Sequence, residues 1–173
     1  MKKLLLVAII VLTLSGCNFG GTTPAEYEFD LFDGQDTVEI NSEWIDAGAV
    51  MYFDSDPVSP VVSGSVNNSV LGLYKISYRY THEEIEYIIE RYVIVVDTIE
   101  PVITLTAGLD TIILGTEWVD AGVTILDNSL ETLSYTVIGS VDFNTVGRYV
   151  ITYSVTDSSG NNSSIDRVVN VVS

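Results

Sequence analysis

Glu43-Trp44-Ile45-Asp46-Ala47-Gly48 returns as Glu117-Trp118-Val119-Asp120-Ala121-Gly122, a shift of 74 residues. Ahead of the first copy, Gly34 and Asp36 are answered by Gly108 and Asp110 at the same shift. Behind it, Gly64-Ser65-Val66 reappears as Gly139-Ser140-Val141, shifted by 75. Gly72, Tyr74, Ile76 and Tyr78 reappear as Gly147, Tyr149, Ile151 and Tyr153, also by 75. Arg91, Val93 and Val95 match Arg167, Val169 and Val171, shifted by 76. The order is kept, and the shift grows only across stretches that read as loop. The chain therefore predicts two homologous modules of about 75 residues.

Each module reads as strands. Tyr149, Ile151, Tyr153 and Val155 alternate with Arg148, Val150, Thr152 and Ser154, a period of two. Tyr74, Ile76, Tyr78 and Tyr80 do the same in the first copy. Val, Ile, Thr and Tyr dominate these runs and suit a pleated, half-buried surface. Asp157-Ser158-Ser159-Gly160-Asn161 supplies turn chemistry for a hairpin between the last two strands. Glu83 to Glu90 has some helical character, but the matching stretch of the second copy is strand. The expected fold is all-β: two tandem immunoglobulin-like antiparallel β-sandwiches of about seven strands each. With one cysteine there is no disulfide between the sheets, so Trp and Tyr side chains must fill that space.

The first residues are set apart. Lys2 and Lys3 head an apolar run from Leu4 to Leu14, which ends in Leu14-Ser15-Gly16-Cys17. The run is too short for a membrane-spanning helix, which needs about 20 apolar residues. A leucine, two small residues and then the chain's one cysteine resemble the bacterial lipoprotein signal. That resemblance implies cleavage before Cys17, which becomes the lipid-bearing N-terminus. The expected division is a signal peptide over 1–16, lipidated Cys17 and a tether over 17–25, and modules over 26–97 and 98–173. Gly20, Gly21 and Pro24 make the tether a short flexible one, spanning at most about 30 Å. The join around Pro101 has no Gly or Ser run, which predicts an elongated, stiff pair of modules.

Composition narrows the function. The chain has 173 residues, 7 basic and 24 acidic, for a net charge of -17. Loss of Lys2 and Lys3 would leave 5 - 24 = -19. Such a chain has no basic face to displace counterions from phosphates, so nucleic acid is excluded as a partner. Acidic protein is also repelled by anionic headgroups, so anchoring must come from acyl chains. One histidine, His82, and one cysteine leave little for a thiolate or imidazole metal site.

The second copy resembles the bacterial surface-protein Ig-like domain, a family of unknown function also described from a pesticidal crystal protein. The shared marks are Asp97-Thr98 with Pro101, Gly115-Thr116-Glu117-Trp118-Val119-Asp120-Ala121-Gly122 and Gly139-Ser140-Val141. Val146-Gly147 with Tyr149 and Tyr153, and Thr156-Asp157 with Gly160-Asn161, complete them. The first copy matches more loosely: it has no proline at its opening, and Thr81-His82-Glu83-Glu84 replaces the last turn. The resemblance implies a non-catalytic extracellular module, often in tandem on bacterial surfaces, with no defined ligand.

Three groups of residues stand out as candidate sites. Trp44, Asp46, Gly48, Trp118, Asp120 and Gly122 read as a fold element in preference to sugar-stacking platforms. The ring would fill one end of a sandwich, and the carboxylate would accept backbone N–H bonds in the following turn. Ile88, Tyr92 and Ile94 lie opposite in parity to Val93 and Val95. If the valines face inward, the three form an exposed apolar patch suited to a partner. Asp54, Asp56, Asp97, Asp127 and Asp157 have two readings: ordinary turn and solvation chemistry, or oxygen ligands for calcium. No loop has the EF-hand spacing, so no metal is committed and no cofactor is expected. Acidity is uneven. Residues 26–97 carry 15 acids and 3 bases, net -12, and residues 98–173 carry 9 acids and 2 bases, net -7. His82 lies in an expected loop among glutamates, and nothing resembles a nucleophile elbow, so an enzyme is not expected. The overall expectation is a lipid-anchored protein on the extracytoplasmic face of a bacterial membrane. Its modules would serve binding, adhesion or display toward a protein or glycan. A structural spacer and a calcium-stiffened rod are the alternatives.

Overall fold

The computed structural model describes residues 27–173; Cys17, the signal peptide and the tether lie outside the described residues. The chain divides into two compact units at Val96/Asp97. Asp97, expected to close the first module, goes with the second. Its carboxylate accepts hydrogen bonds from Ile99 N and Ser159 Oγ. Every regular element among the described residues is a strand.

Among the described residues the first unit has seven strands: β1 (Tyr27–Leu31), β2 (Thr37–Glu39), β3 (Ala49–Phe53), β4 (Asp56–Val58), β5 (Val61–Ser63), β6 (Gly72–His82) and β7 (Ile85–Val96). They form two sheets, β1-β3-β4 and β2-β7-β6-β5. Alternation decides which face is buried. Ile76 and Tyr78 of β6, and Ile89, Val93 and Val95 of β7, point inward. Met51 of β3 meets Ile76, Tyr78 and Ile89, with Phe29 and Leu31 packed against them, so the core lies between the sheets. Full burial of each such side chain stabilises by about 1.5–3 kcal/mol. Trp44 packs on this cluster and on the neighbouring cluster of Val38, Ile40, Val93 and Val95.

Two hairpins in this unit turn on two residues. Phe53 pairs with Asp56 around Asp54 and Ser55. His82 pairs with Ile85 around Glu83 and Glu84. All four turn residues have positive φ, between 46° and 71°, the backbone twist that matches flanking strands. The stretch with helical character is thus the two-residue turn of the β6–β7 hairpin followed by the start of strand β7. His82 is the last residue of β6 and not a loop residue, and its ring lies 3.9 Å from that of Phe53.

The second unit has six strands, one fewer than expected: β8 (Val102–Leu105), β9 (Thr111–Ile113), β10 (Val123–Leu126), β11 (Tyr135–Ile138), β12 (Gly147–Thr156) and β13 (Asn162–Val172). The sheets are β10-β8 and β11-β12-β13-β9. Ile112, Ile151, Tyr153, Val155, Val169 and Val171 are buried. The sheets are not wholly antiparallel. β9 runs parallel to β13, and β2 runs parallel to β7. A short strand can close the sheet this way because it arrives from across the sandwich and not through a hairpin.

Gly64 and Gly139 explain the repeated Gly-Ser-Val. Each has φ near +100° (98° and 104°). A Cβ there would lie 2.2 Å from the Lys75 carbonyl oxygen or 2.3 Å from that of Val150. Only glycine allows the backbone to pass that close at that φ.

Candidate functional site

The repeated motif residues converge on one buried arginine in each unit. Arg167, 1% exposed, projects inward from β13. Its Nη1 donates to Asp110 Oδ1 at 2.7 Å, and its Nη2 donates to the carbonyls of Thr106 at 2.5 Å and Gly122 at 3.2 Å. Asp120 Oδ1 accepts from Gly122 N at 2.8 Å and from the Tyr153 hydroxyl at 2.5 Å. Trp118 Nε1 donates to the Leu109 carbonyl at 2.9 Å. Gly108 leaves the room needed, since a Cβ on it would sit 2.8 Å from the Ala121 Cβ and 3.1 Å from Arg167 Nη1.

The first unit repeats the arrangement. Arg91 donates to Asp36 at 2.8 Å and to the carbonyls of Phe32 and Gly48. Asp46 Oδ1 accepts from Gly48 N and the Tyr78 hydroxyl. Trp44 Nε1 donates to the Gln35 carbonyl. Burial, and then the hydrogen bond to the aspartate, push the Tyr78 and Tyr153 hydroxyls above their ordinary range. For Arg167, burial opposes the charge, but the hydrogen bonds and charge attraction of Asp110 and Tyr153 together outweigh it, so the guanidinium stays charged. Trp44, Asp46, Gly48, Trp118, Asp120 and Gly122 therefore sit in a bracing network, with both indole N–H groups committed to backbone.

Sequence reasoning matched Arg91 to Arg167 but did not see either as a hub. The available signal was parity, since each shares a face with the inward valines two and four residues on.

Ile88, Tyr92 and Ile94 lie together on the outer face of β7, 37%, 47% and 42% exposed, with Val93 and Val95 inward. Across the hairpin Ile94 pairs with Leu73, Tyr92 with Lys75 and Ile88 with Arg79. Leu73 extends the apolar surface. The middle of the face is polar: Glu90 accepts from Lys75 Nζ at 2.8 Å and from the Tyr92 hydroxyl at 2.7 Å. Those hydrogen bonds, Lys75 first, hold the Glu90 carboxyl below its usual range. Tyr87 is turned to the other side and stacks on Tyr27 at 4.4 Å. Burial first, then its hydrogen bond to Tyr27, push its hydroxyl up to about 12.

The calcium candidates separate. Asp54 belongs to the two-residue turn before β4, and Asp56 opens that strand. Asp97, Asp127 and Asp157 come together in the second unit, each offering an oxygen within 4.8 Å of the others. Topology explains this. Asp97 precedes β8, and Asp127 follows the end of β10, which pairs Leu126 with Val102 at the start of β8. Asp157 opens the β12–β13 turn. Asp157 Oδ1 accepts from Ser159 N and Asn161 N, and its Oδ2 from Asn161 Nδ2. Burial opposes its ionisation, but the hydrogen bonds from Asn161, Gly160 and Ser159 outweigh it and hold the carboxyl below its ordinary value. No ion pair among the described residues involves any of the three aspartates. Two full charges at that separation repel by at least about 3 kcal/mol at an effective dielectric near 20.

Residues 103–171 match the bacterial surface protein Ig-like domain. This Ig-like domain covers nearly all of the second unit, from β8 to the penultimate residue of β13. Residues 1–18 match the prokaryotic membrane lipoprotein lipid attachment site, which spans Cys17. The chain thus carries a lipid attachment site and a surface Ig-like domain. It matches no curated protein.

Proposed function

We propose that the protein is held by a lipid on Cys17 at the extracytoplasmic face of a bacterial membrane, and that both units are Ig-like modules serving binding, adhesion or display without catalysis. The observation that carries this reading is the lipid attachment match at residues 1–18 in a chain that also matches a surface Ig-like domain. The repeat of the arginine network around Arg91 supports reading the first unit as a second module of the same kind. The apolar ends of the outer β7 face, Ile88 with Ile94 and Tyr92, support a protein or glycan partner there. The mutual pairing of Lys75, Glu90 and Tyr92 between them supports the alternative, a spacer with no soluble ligand.

Cell fractionation tests the anchor. Cys17→Ser is expected to release the protein from the membrane fraction or leave its signal uncut. Unchanged processing and retention would refute lipidation. Capture of surface components with the wild-type protein and with Tyr92→Ala separates a binding module from a spacer. Capture lost on this substitution supports binding, and the absence of any specific capture supports the spacer.

A further inference from the structure

We propose that Asp97, Asp127 and Asp157 are ligands of a calcium ion bound at one end of the second unit. The cluster includes a carboxylate oxygen, on Asp127, whose charge nothing among the described residues answers. Asp127 Oδ1 is committed to Ser129, accepting from its backbone N at 2.9 Å and from its hydroxyl. Asp127 Oδ2 is sealed from solvent and has no hydrogen-bond partner at all. An ionised oxygen in that state costs free energy unless something positive faces it. Asp97 and Asp157 bring two more carboxylates that are themselves more than nine-tenths buried, 9% and 7% exposed. Asp97 is only loosely held, by contacts of 3.4 Å and 3.3 Å.

The chemistry selects the ion. All the donors are hard oxygens. Oxygens bound to one calcium at about 2.3–2.6 Å lie at most about 5 Å apart, and these lie within 4.8 Å. Three carboxylates with remaining carbonyls and water can reach the six to eight oxygens that calcium takes. Magnesium keeps most of its water and usually takes only one or two carboxylates. The ion would join the segment before β8, the end of β10 and the β12–β13 turn, which belong to both sheets of the unit.

The full chain in detergent, stripped with EDTA, is titrated with calcium chloride by calorimetry and then unfolded thermally. One equivalent is expected to bind. At a hundred times the dissociation constant, one unfolding transition is expected to rise by about 10–20 °C. Magnesium at the same concentration is expected to give less than a third of that rise. Asp127→Asn is expected to abolish both binding and shift, yet to unfold in EDTA no lower than wild type, because it removes one of three crowded charges. Absence of binding and shift at 10 mM calcium would overturn the proposal, as would an equal response to magnesium. Calcium binding retained in Asp127→Asn would also overturn it. If Asp127→Asn does not fold, Asp97→Asn takes its place, and the wild-type titration still decides.

Discussion

Replacing Arg167 with methionine tests whether the buried guanidinium braces the Ig-like domain. Methionine keeps most of the stem and its packing but removes the donor fork. The substitution severs one ion pair and two bonds to backbone carbonyls. These contributions are unequal. Asp110 is half exposed, so water replaces the guanidinium there, and that part is worth about 1 kcal/mol or less. Gly122 O keeps a second donor, Thr106 N, so its loss is small. Thr106 O keeps no other donor among the hydrogen bonds described, and bonds from a charged donor contribute about 1.5–3 kcal/mol. The total expected is about 3 kcal/mol, at the lower end of the 3–5 kcal/mol typical of stripping a fully buried pair. For a domain of this size, that lowers the unfolding midpoint by about 12–24 °C. Denaturation of the full chain by urea, followed by tryptophan fluorescence and circular dichroism, measures it. The transition of the Ig-like domain should move while the other stays in place. Asp110→Asn should cost about 1 kcal/mol or less. A loss below 1 kcal/mol for Arg167→Met, or a larger loss for Asp110→Asn, would refute the reasoning.

Gly139→Ala is expected to cost more than about 2 kcal/mol, because it combines an unfavourable φ with a collision against the Val150 carbonyl; chemical denaturation measures this. Tyr92→Ala should cost less than about 1 kcal/mol, because the ring is half exposed and its hydroxyl bonds only Glu90. A large loss in the same assay would place it in the core. Acid should weaken the Ig-like domain through Asp157. Its folded-state value lies below the ordinary 3.8. The contribution is therefore complete above about pH 4 and is lost as pH falls through the lower folded value. Thermal unfolding between pH 2 and 6 should show that loss, and Asp157→Asn should flatten it.

Much of the fold was legible in the chain. Period-two alternation around Tyr153 and Tyr78 separated two faces on each strand, and burial falls on the face that carries these tyrosines. On β7 both faces are apolar, so alternation left open which set points inward; burial of Val93 and Val95 settles it and leaves Ile88, Tyr92 and Ile94 outside. The repeat located the bracing residues, but not their shared target. Asp36, Asp46 and Arg91 are brought together by pairing across residues 36 to 91, and spacing along the chain carries no trace of that contact. The parallel β9–β13 pair escaped for a related reason: alternation fixes faces but not strand direction. Of the five candidate aspartates, only topology could separate the three that meet from Asp54 and Asp56, because turn chemistry looks alike in both places.

The parallel closing pair has a consequence for a protein tethered at one end and pulled at the other. Tension reaches β9 from its N-terminal end and β13 from its C-terminal end. Because the strands run the same way, those pulls point in opposite directions along the shared axis. The pairs Thr111–Asn170, Ile112–Val171 and Ile113–Val172 are then strained side by side and must give way together. A hairpin pulled from its open end surrenders its bonds one after another. β2 and β7 repeat this in the first unit, with Thr37, Val38 and Glu39 against Ile94, Val95 and Val96. Each unit is thus fastened by a shear clasp of three residue pairs, which takes up a load along the chain once the antiparallel first strand, β1 or β8, has given way.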